Sequence, residues 1–380
     1  MKKSQPNYAA AVIAGGVILA SGFFLGFVTN NNNQKSLLDE AVNKIVKNSV
    51  TNTTKENLER AAIDGMLRSL GDKWSQYLPE SGTKSFENLI EGQYSGIGVW
   101  LRSDEEGAVG VAGVVPSSPA DFAKIQVGDV IKAIDGVLTI DKSLSDVSEM
   151  LNENETNNAI LYISRSQELL TFNVKKTKIK SNPVTAKRLD NNVIIISLTE
   201  FSRGSARSLR AVLASFGSTR AGVILDLRGN PGGLLLEATD VAGAFLNGGL
   251  VVEFYQPDKP QEVFNAIGDG DARTPLVVLV DRGTASAAEI VAAALQDRNR
   301  AIIVGERTFG KSSVQNSQEL SNGSTIDLTV GYYLTPAGKR LDGQGVIPDI
   351  EVAATKDKSI AESRGLQVLL SLISTTEQLD

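Results

Sequence analysis

Residues 221–245 read AGVILDLRGNPGGLLLEATDVAGAF. Ala221 to Leu227 is a short apolar run, the composition of a strand buried on both faces. Leu234 to Phe245 has helical composition, and the glycine- and proline-rich stretch Arg228 to Gly233 can continue neither element. A strand, a glycine turn and a helix in that order make half of a βαβ unit. The alternation extends in both directions. Val193 to Leu198, Leu276 to Val280 and Ala301 to Val304 are further strands, and Ser205 to Phe216 and Ala287 to Leu295 are further helices. The pattern predicts an α/β fold with a largely parallel sheet, returning to strand through Thr325 to Leu334.

The 380 residues suggest two or three domains, with 42% hydrophobic and 22% charged residues, an ordinary globular balance. A net charge of −6 and a pI near 5.1 leave no basic surface for nucleic acid. The chain has no histidine and no cysteine. Thiolate chemistry, disulfides and the Ser-His-Asp triad are therefore excluded, a zinc site is disfavoured, and no metal or cofactor is expected.

Lys2 and Lys3 precede an uncharged run from Ala9 to Val28, long enough to cross a hydrocarbon core. The positive residues should stay inside, leaving the rest outside the cytosol: periplasmic, extracellular or lumenal. Ala20-Ser21-Gly22 resembles a cleavage site, so a secreted chain stays open, although the length favours a retained membrane anchor. The chain then divides into a cytosolic N-terminus (1–8), anchor or signal (9–28), polar tether (29–35), helical region (36–90), β-rich domain (91–178), α/β core (179–357) and C-terminal helical tail (358–380). In the helical region, Leu37, Leu38, Ala41, Val42, Ile45 and Val46 follow the cap Ser36 at one-face spacing. Leu58, Ala62, Met66 and Leu70 repeat before Gly71. A hairpin packed on the body and a homodimerisation arm, built from the terminal helices, are equally open.

Two positions carry the chemistry. Ser286 stands in Thr284-Ala285-Ser286-Ala287-Ala288-Glu289, and Lys311 in Arg307-Thr308-Phe309-Gly310-Lys311-Ser312. A serine needs a base to become a nucleophile, and without histidine the Ser-Lys variant remains. The plainer reading makes Ser286 an N-cap. Against it, reactive groups collect at the C-terminal ends of strands in open α/β sheets, and a helix N-terminus favours a developing anion. Glu289 either orients neighbouring groups or merely suits the helix dipole. The glycines of 229–233 either present amides to an anion or simply make the turn. Gly305 to Ser312 matches G-x-x-x-x-G-K-[ST] letter for letter, yet a phosphate loop must open a helix, and Ser313-Val314-Gln315-Asn316 leads toward strand-like sequence. An ATPase is disfavoured.

Gly96-Ile97-Gly98-Val99, Val111-Ala112-Gly113-Val114-Val115 and Val127-Gly128-Asp129-Val130-Ile131 in that order resemble a PDZ domain of the bacterial protease type. The resemblance implies that Gly96, Ile97 and Gly98 offer amides to a substrate's C-terminal carboxylate. Glu153-Asn154-Glu155-Thr156 departs from the family's glycine-rich turn, though Ala159 to Ser164 still reads as a strand, and a β-rich domain without a ligand is the bland alternative. From about residue 36 the chain resembles the C-terminal processing peptidases, or tail-specific proteases. The markers are Leu225 to Gly233, Thr284 to Ile290, Thr308 to Gln315, Tyr333 to Gly338 and Gly343 to Asp349. Ser312 stands where glycine is common, and Asp72-Lys73-Trp74-Ser75 varies the usual Asp-Pro-Tyr-Ser. The resemblance implies Ser286 as nucleophile, Lys311 as base, Gln315 holding the lysine amine, and Gly232 and Ala287 as oxyanion donors. It also implies protein or peptide substrates with exposed C-termini. A catalytically inactive PDZ scaffold at the membrane is the rival reading. Phe309 and Val314 are the candidate apolar walls around Lys311.

Overall fold

The computed structural model describes residues 36–80, 90–103, 108–115, 117–140, 142, 144–152, 158–180, 182–217, 220–353 and 357–377. The apolar run 9–28, its flanks and the turn at 153–156 lie outside the described residues. Among those described, no helix is long and apolar enough to cross a membrane.

The chain separates into two compact units, Met1–Met66 and Leu67–Asp380. The first holds α1 (Leu37–Asn48), which starts where Ser36 Oγ accepts the Leu38 N–H at 3.1 Å. Val42 is buried, while Leu37, Ile45 and Val46 are exposed. A second helix, α2 (Lys55–Ser69), runs across the boundary and stops before Gly71, whose φ of 66° suits glycine.

The second unit opens with β1 (Gln76–Leu78) and then the β-rich domain. Its elements are β2 (Gln93–Gly96), β3 (Val99–Ser103), β4 (Val109–Val114), α3 (Pro119–Phe122), β5 (Val130–Ile134) and β6 (Val137–Leu138). They continue as α4 (Leu144–Asn152), β7 (Asn158–Arg165), β8 (Glu168–Lys175) and β9 (Thr177–Lys180). An antiparallel sheet in the order β3-β4-β5-β7-β8 encloses its own core around Val111, Ile131, Leu161 and Ile163. Strands β2 and β9 pair as a two-stranded ribbon, so the chain enters and leaves this domain side by side.

The α/β core follows as β10 (Val184–Arg188), β11 (Val193–Leu198), α5 (Ser205–Ser215), β12 (Gly222–Asp226), α6 (Leu235–Ala242), β13 (Gly249–Tyr255) and β14 (Glu262–Ala266). Then come β15 (Leu276–Val280), α7 (Ala287–Asp297), β16 (Ile302–Gly305), β17 (Ser313–Glu319), β18 (Thr325–Leu334), β19 (Ile350–Glu351) and α8 (Lys358–Glu377). One sheet runs β10-β11-β12-β15-β16-β19, parallel except at β10. Alternation along its strands splits the core. Ile194, Ile196, Val223, Leu225 and Val278 join the main cluster with residues of α5, α6 and α7. Val193, Ile195, Ile224, Val277 and Leu279 face the other way, with Leu366, Leu369 and Leu372 of α8. One face of the C-terminal helix thus packs on its own sheet, while Ile360 and Leu370 stay exposed.

Two features depart from the sequence reading, and a third agrees with it. A second sheet, β1-β18-β13-β14 with β17 beside β18, is antiparallel, so the core is parallel in only one of its two sheets. β1 belongs to that sheet although it lies in the region read as helical. The Gly305–Ser312 loop joins β16 to β17, a strand, so no helix receives a phosphate.

Candidate active site

The C-terminal ends of β12, β15 and β16 deliver three loops to one place. The first is the glycine turn. Arg228 forks onto Asp226 (2.8 and 2.6 Å), and Asp281 Oδ1 accepts the Gly229 N–H at 2.8 Å, tying this turn to the second loop. Asn230 is fully buried, with its amide nitrogen on Leu198 O (2.9 Å) and its carbonyl accepting the Ala285 N–H (2.9 Å).

Ser286 occupies the N-cap position of α7 with φ 52° and ψ −119°. An ordinary N-cap serine has extended backbone. A non-glycine residue in this region is strained, and such strain persists where the surroundings over-determine it. The surroundings here are Glu289 and Gly232. Glu289 is fully buried and accepts the Ser286 N–H (2.9 Å), the Lys311 N–H (2.9 Å), the Gly310 N–H (2.8 Å) and the Thr308 hydroxyl (2.5 Å). Burial pushes its carboxyl up, and these four donors oppose the shift. One carboxylate therefore pins the Ser286 loop to the Lys311 loop. It also occupies the very amides that a phosphate loop would turn toward its ligand.

Gly232 packs against the same point. A Cβ there would lie 2.9 Å from Ser286 Cβ and 3.0 Å from the Ala287 nitrogen, at φ 106°. Its N–H donates to Asn230 Oδ1 at 2.8 Å. An oxyanion role for Gly232 thus needs that bond to open. Ala287 is buried at the first position of α7.

Lys311 lies with Nζ 4.7 Å from the ring centroid of Trp74, and Phe309 meets that ring in an edge-to-face arrangement at 5.9 Å. Val251, Val252, Ile290, Tyr333 and Leu341 line a small cavity beside it. Burial pushes the amine below the ordinary lysine range, against Asp327, Asp72, Glu289 and Asp342, which favour the charged form. Trp74 was not among the walls the sequence suggested. Gln315 follows a bulge between Val314 and Gln315, and its Nε2 donates to Thr329 Oγ1 at 3.1 Å. Its position on β17 follows the Lys311 loop closely in the chain.

The β-rich domain touches this site. A Cβ on Gly113 of β4 would sit 3.1 Å from Gly229 O, and one on Gly283 would sit 3.4 Å from Ala112 O. Gly96, Ile97 and Gly98 are all buried, with Ile97 O accepting the Ala120 N–H (2.9 Å) and Gly98 O the Val115 N–H (3.0 Å).

This chain belongs to peptidase family S41: residues 192–352 match that family's profile, and residues 110–163 match a PDZ domain. The carboxy-terminal processing protease CtpA of Bacillus subtilis (strain 168) is 32% identical over 351 residues, covering 88% of this chain and 74% of that protein. A protein of Staphylococcus aureus (strain COL) named "Probable CtpA-like serine protease" is 33% identical over 309 residues, 80% of this chain. The chain spans 62% of the length of that curated relative. Among solved structures, the photosystem II D1 C-terminal processing protease superposes with a TM-score of 0.70 at 28% identity, covering 83% of this chain and 92% of that one.

Proposed function

We propose that the chain is a serine endopeptidase of the Ser-Lys type that processes proteins from their C-termini. The observation that carries the reading is the strained Ser286, pinned through Glu289 to the loop of a desolvated Lys311. Neutral Lys311 takes the Ser286 hydroxyl proton as Oγ attacks the scissile carbonyl. The resulting oxyanion is met by the Ala287 N–H, and by the Gly232 N–H once Asn230 releases it. Collapse expels the amine, which takes the proton back from Lys311, and water activated by the same lysine hydrolyses the acyl-enzyme. Capture of a substrate's C-terminal carboxylate at Gly96–Gly98 belongs to this proposal. So do an extracytoplasmic location, attachment through residues 9–28 and self-association through the terminal helices.

Casein cleavage tests the chemistry. Ser286→Ala and Lys311→Ala should each lose at least about a hundredfold in rate with the fold retained, the lower end of what general-base catalysis supplies. Retained cleavage in either purified variant would refute the assignment. A substrate and its C-terminally amidated form should differ in kcat/KM; equal values would remove carboxylate capture.

A further inference from the structure

The amine of Lys311 is held by a part of the chain that carries none of the S41 profile match. Trp74 lies in the turn before β1, and that turn is locked. Asp72 Oδ1 accepts the Trp74 N–H (3.1 Å), and Oδ2 accepts the Ser75 N–H (3.0 Å) and the Ser75 hydroxyl. Ser75 Oγ in turn accepts the Thr329 N–H of β18 at 3.0 Å. β1 then continues in register along β18, pairing Gln76 with Asp327, and Phe309 supports the indole edge-on. The backbone that carries the indole is therefore fixed to β18.

We propose that Trp74 is the positioning residue for Lys311: its ring face fixes the end of the lysine side chain and shuts water away from it. The proposal rests on Lys311 being the base. Two effects of the ring oppose each other. A π-face attracts a cation and favours the protonated amine, by roughly half a pH unit at a partly exposed site. Excluding water favours the neutral amine and can reach several units. The charged groups facing Lys311 are Asp327 on β18, Asp72 in the Trp74 turn, Glu289 on α7 and Asp342 after β18, all favouring the ammonium. The amine is nevertheless pushed down, so water exclusion dominates, and Trp74 supplies part of it.

The chain has two tryptophans and no histidine or cysteine, which makes a direct test possible. Trp100→Phe in the full chain leaves Trp74 as the sole indole. Its emission should titrate with Lys311, below the ordinary lysine range, and the transition should vanish in Trp100→Phe/Lys311→Met. In parallel, the acid limb of the kcat/KM profile should move up by about one pH unit or more in Trp74→Ala, yet stay within about half a unit in Trp74→Phe. No emission transition, or one that survives Lys311→Met, overturns the proposal. So does a Trp74→Ala enzyme slowed equally at every pH with its limb unmoved. An inactive chain whose Trp74 emission still follows Lys311 would refute the protease reading while supporting this contact.

Discussion

Glu200 offers the cleanest pH test of the structure. It follows β11, is 3% exposed, and its Oε1 has no partner. A Cβ on Gly92 would lie 3.3 Å from Ser202 Oγ and 3.8 Å from Glu200 Oε1, so the carboxyl is sealed beside the entry to β2. Burial, only partly offset by Ser202, pushes it from 4.5 up to about 7. The folded pKa is above the unfolded one, so the native state binds more protons between those values. Stability is therefore fullest below about 4.5 and declines as pH rises through about 7. At about 1.4 kcal/mol per unit the shift corresponds to roughly 3 kcal/mol. The perturbation is Glu200→Gln, and the assay is urea unfolding at pH 5 and pH 8. Wild type should lose up to about 3 kcal/mol more than the variant between those pH values. Taking the difference cancels other titrations, such as that of Lys311. Identical pH slopes for the two proteins would refute the reasoning.

Glu289→Ala should cost about 3 kcal/mol or more in urea unfolding, because it strands four donors in a fully buried place, each worth about 1–3 kcal/mol unsatisfied. Glu289→Gln should cost less, and a loss below 1 kcal/mol in the alanine variant would contradict the bridging role. Gly232→Ala should lose both stability and cleavage, since at φ 106° its new methyl would press on Ala285 O, Ser286 Cβ and the Ala287 nitrogen at 2.9–3.0 Å. A wild-type kcat in that variant would place the Ser286 strain elsewhere. Because the Lys311 amine is pushed down, activity should be absent while it is protonated and should climb as pH rises through its value. Lys311→Arg should be inactive at every pH up to 9, because guanidinium does not deprotonate there; a flat profile from pH 5 to 9 would show another base.

Much of the α/β layer was legible. Val193–Leu198, Leu276–Val280 and Thr325–Leu334 appear as strands at the residues their β-branched, apolar runs suggested. β17 was not legible, because Ser313–Glu319 is mostly polar and becomes a strand only by pairing with β18. The same holds for β1, only three residues long, whose pairing partner is some 250 residues away. Ser286 and Lys311 stood out because the chain has no histidine. The role of Trp74 did not, since it depends on groups brought together by folding, and for Glu289 the sequence left open whether it orients its neighbours or merely suits the helix dipole. The sequence marked Asp72–Ser75 as unusual without any signal that Trp74 would meet Lys311. Asn230 likewise sits in a recognisable turn, but its hold on the Gly232 amide is a matter of side-chain geometry alone.

The most direct test of the central claim is labelling with a fluorophosphonate, read by intact mass and peptide mapping across a pH series. The account predicts a single adduct on Ser286, absent in Ser286→Ala, slowed at least about a hundredfold in Lys311→Ala, and faster as pH rises. No adduct, an adduct on another serine, or equal labelling rates with and without the lysine amine would contradict it.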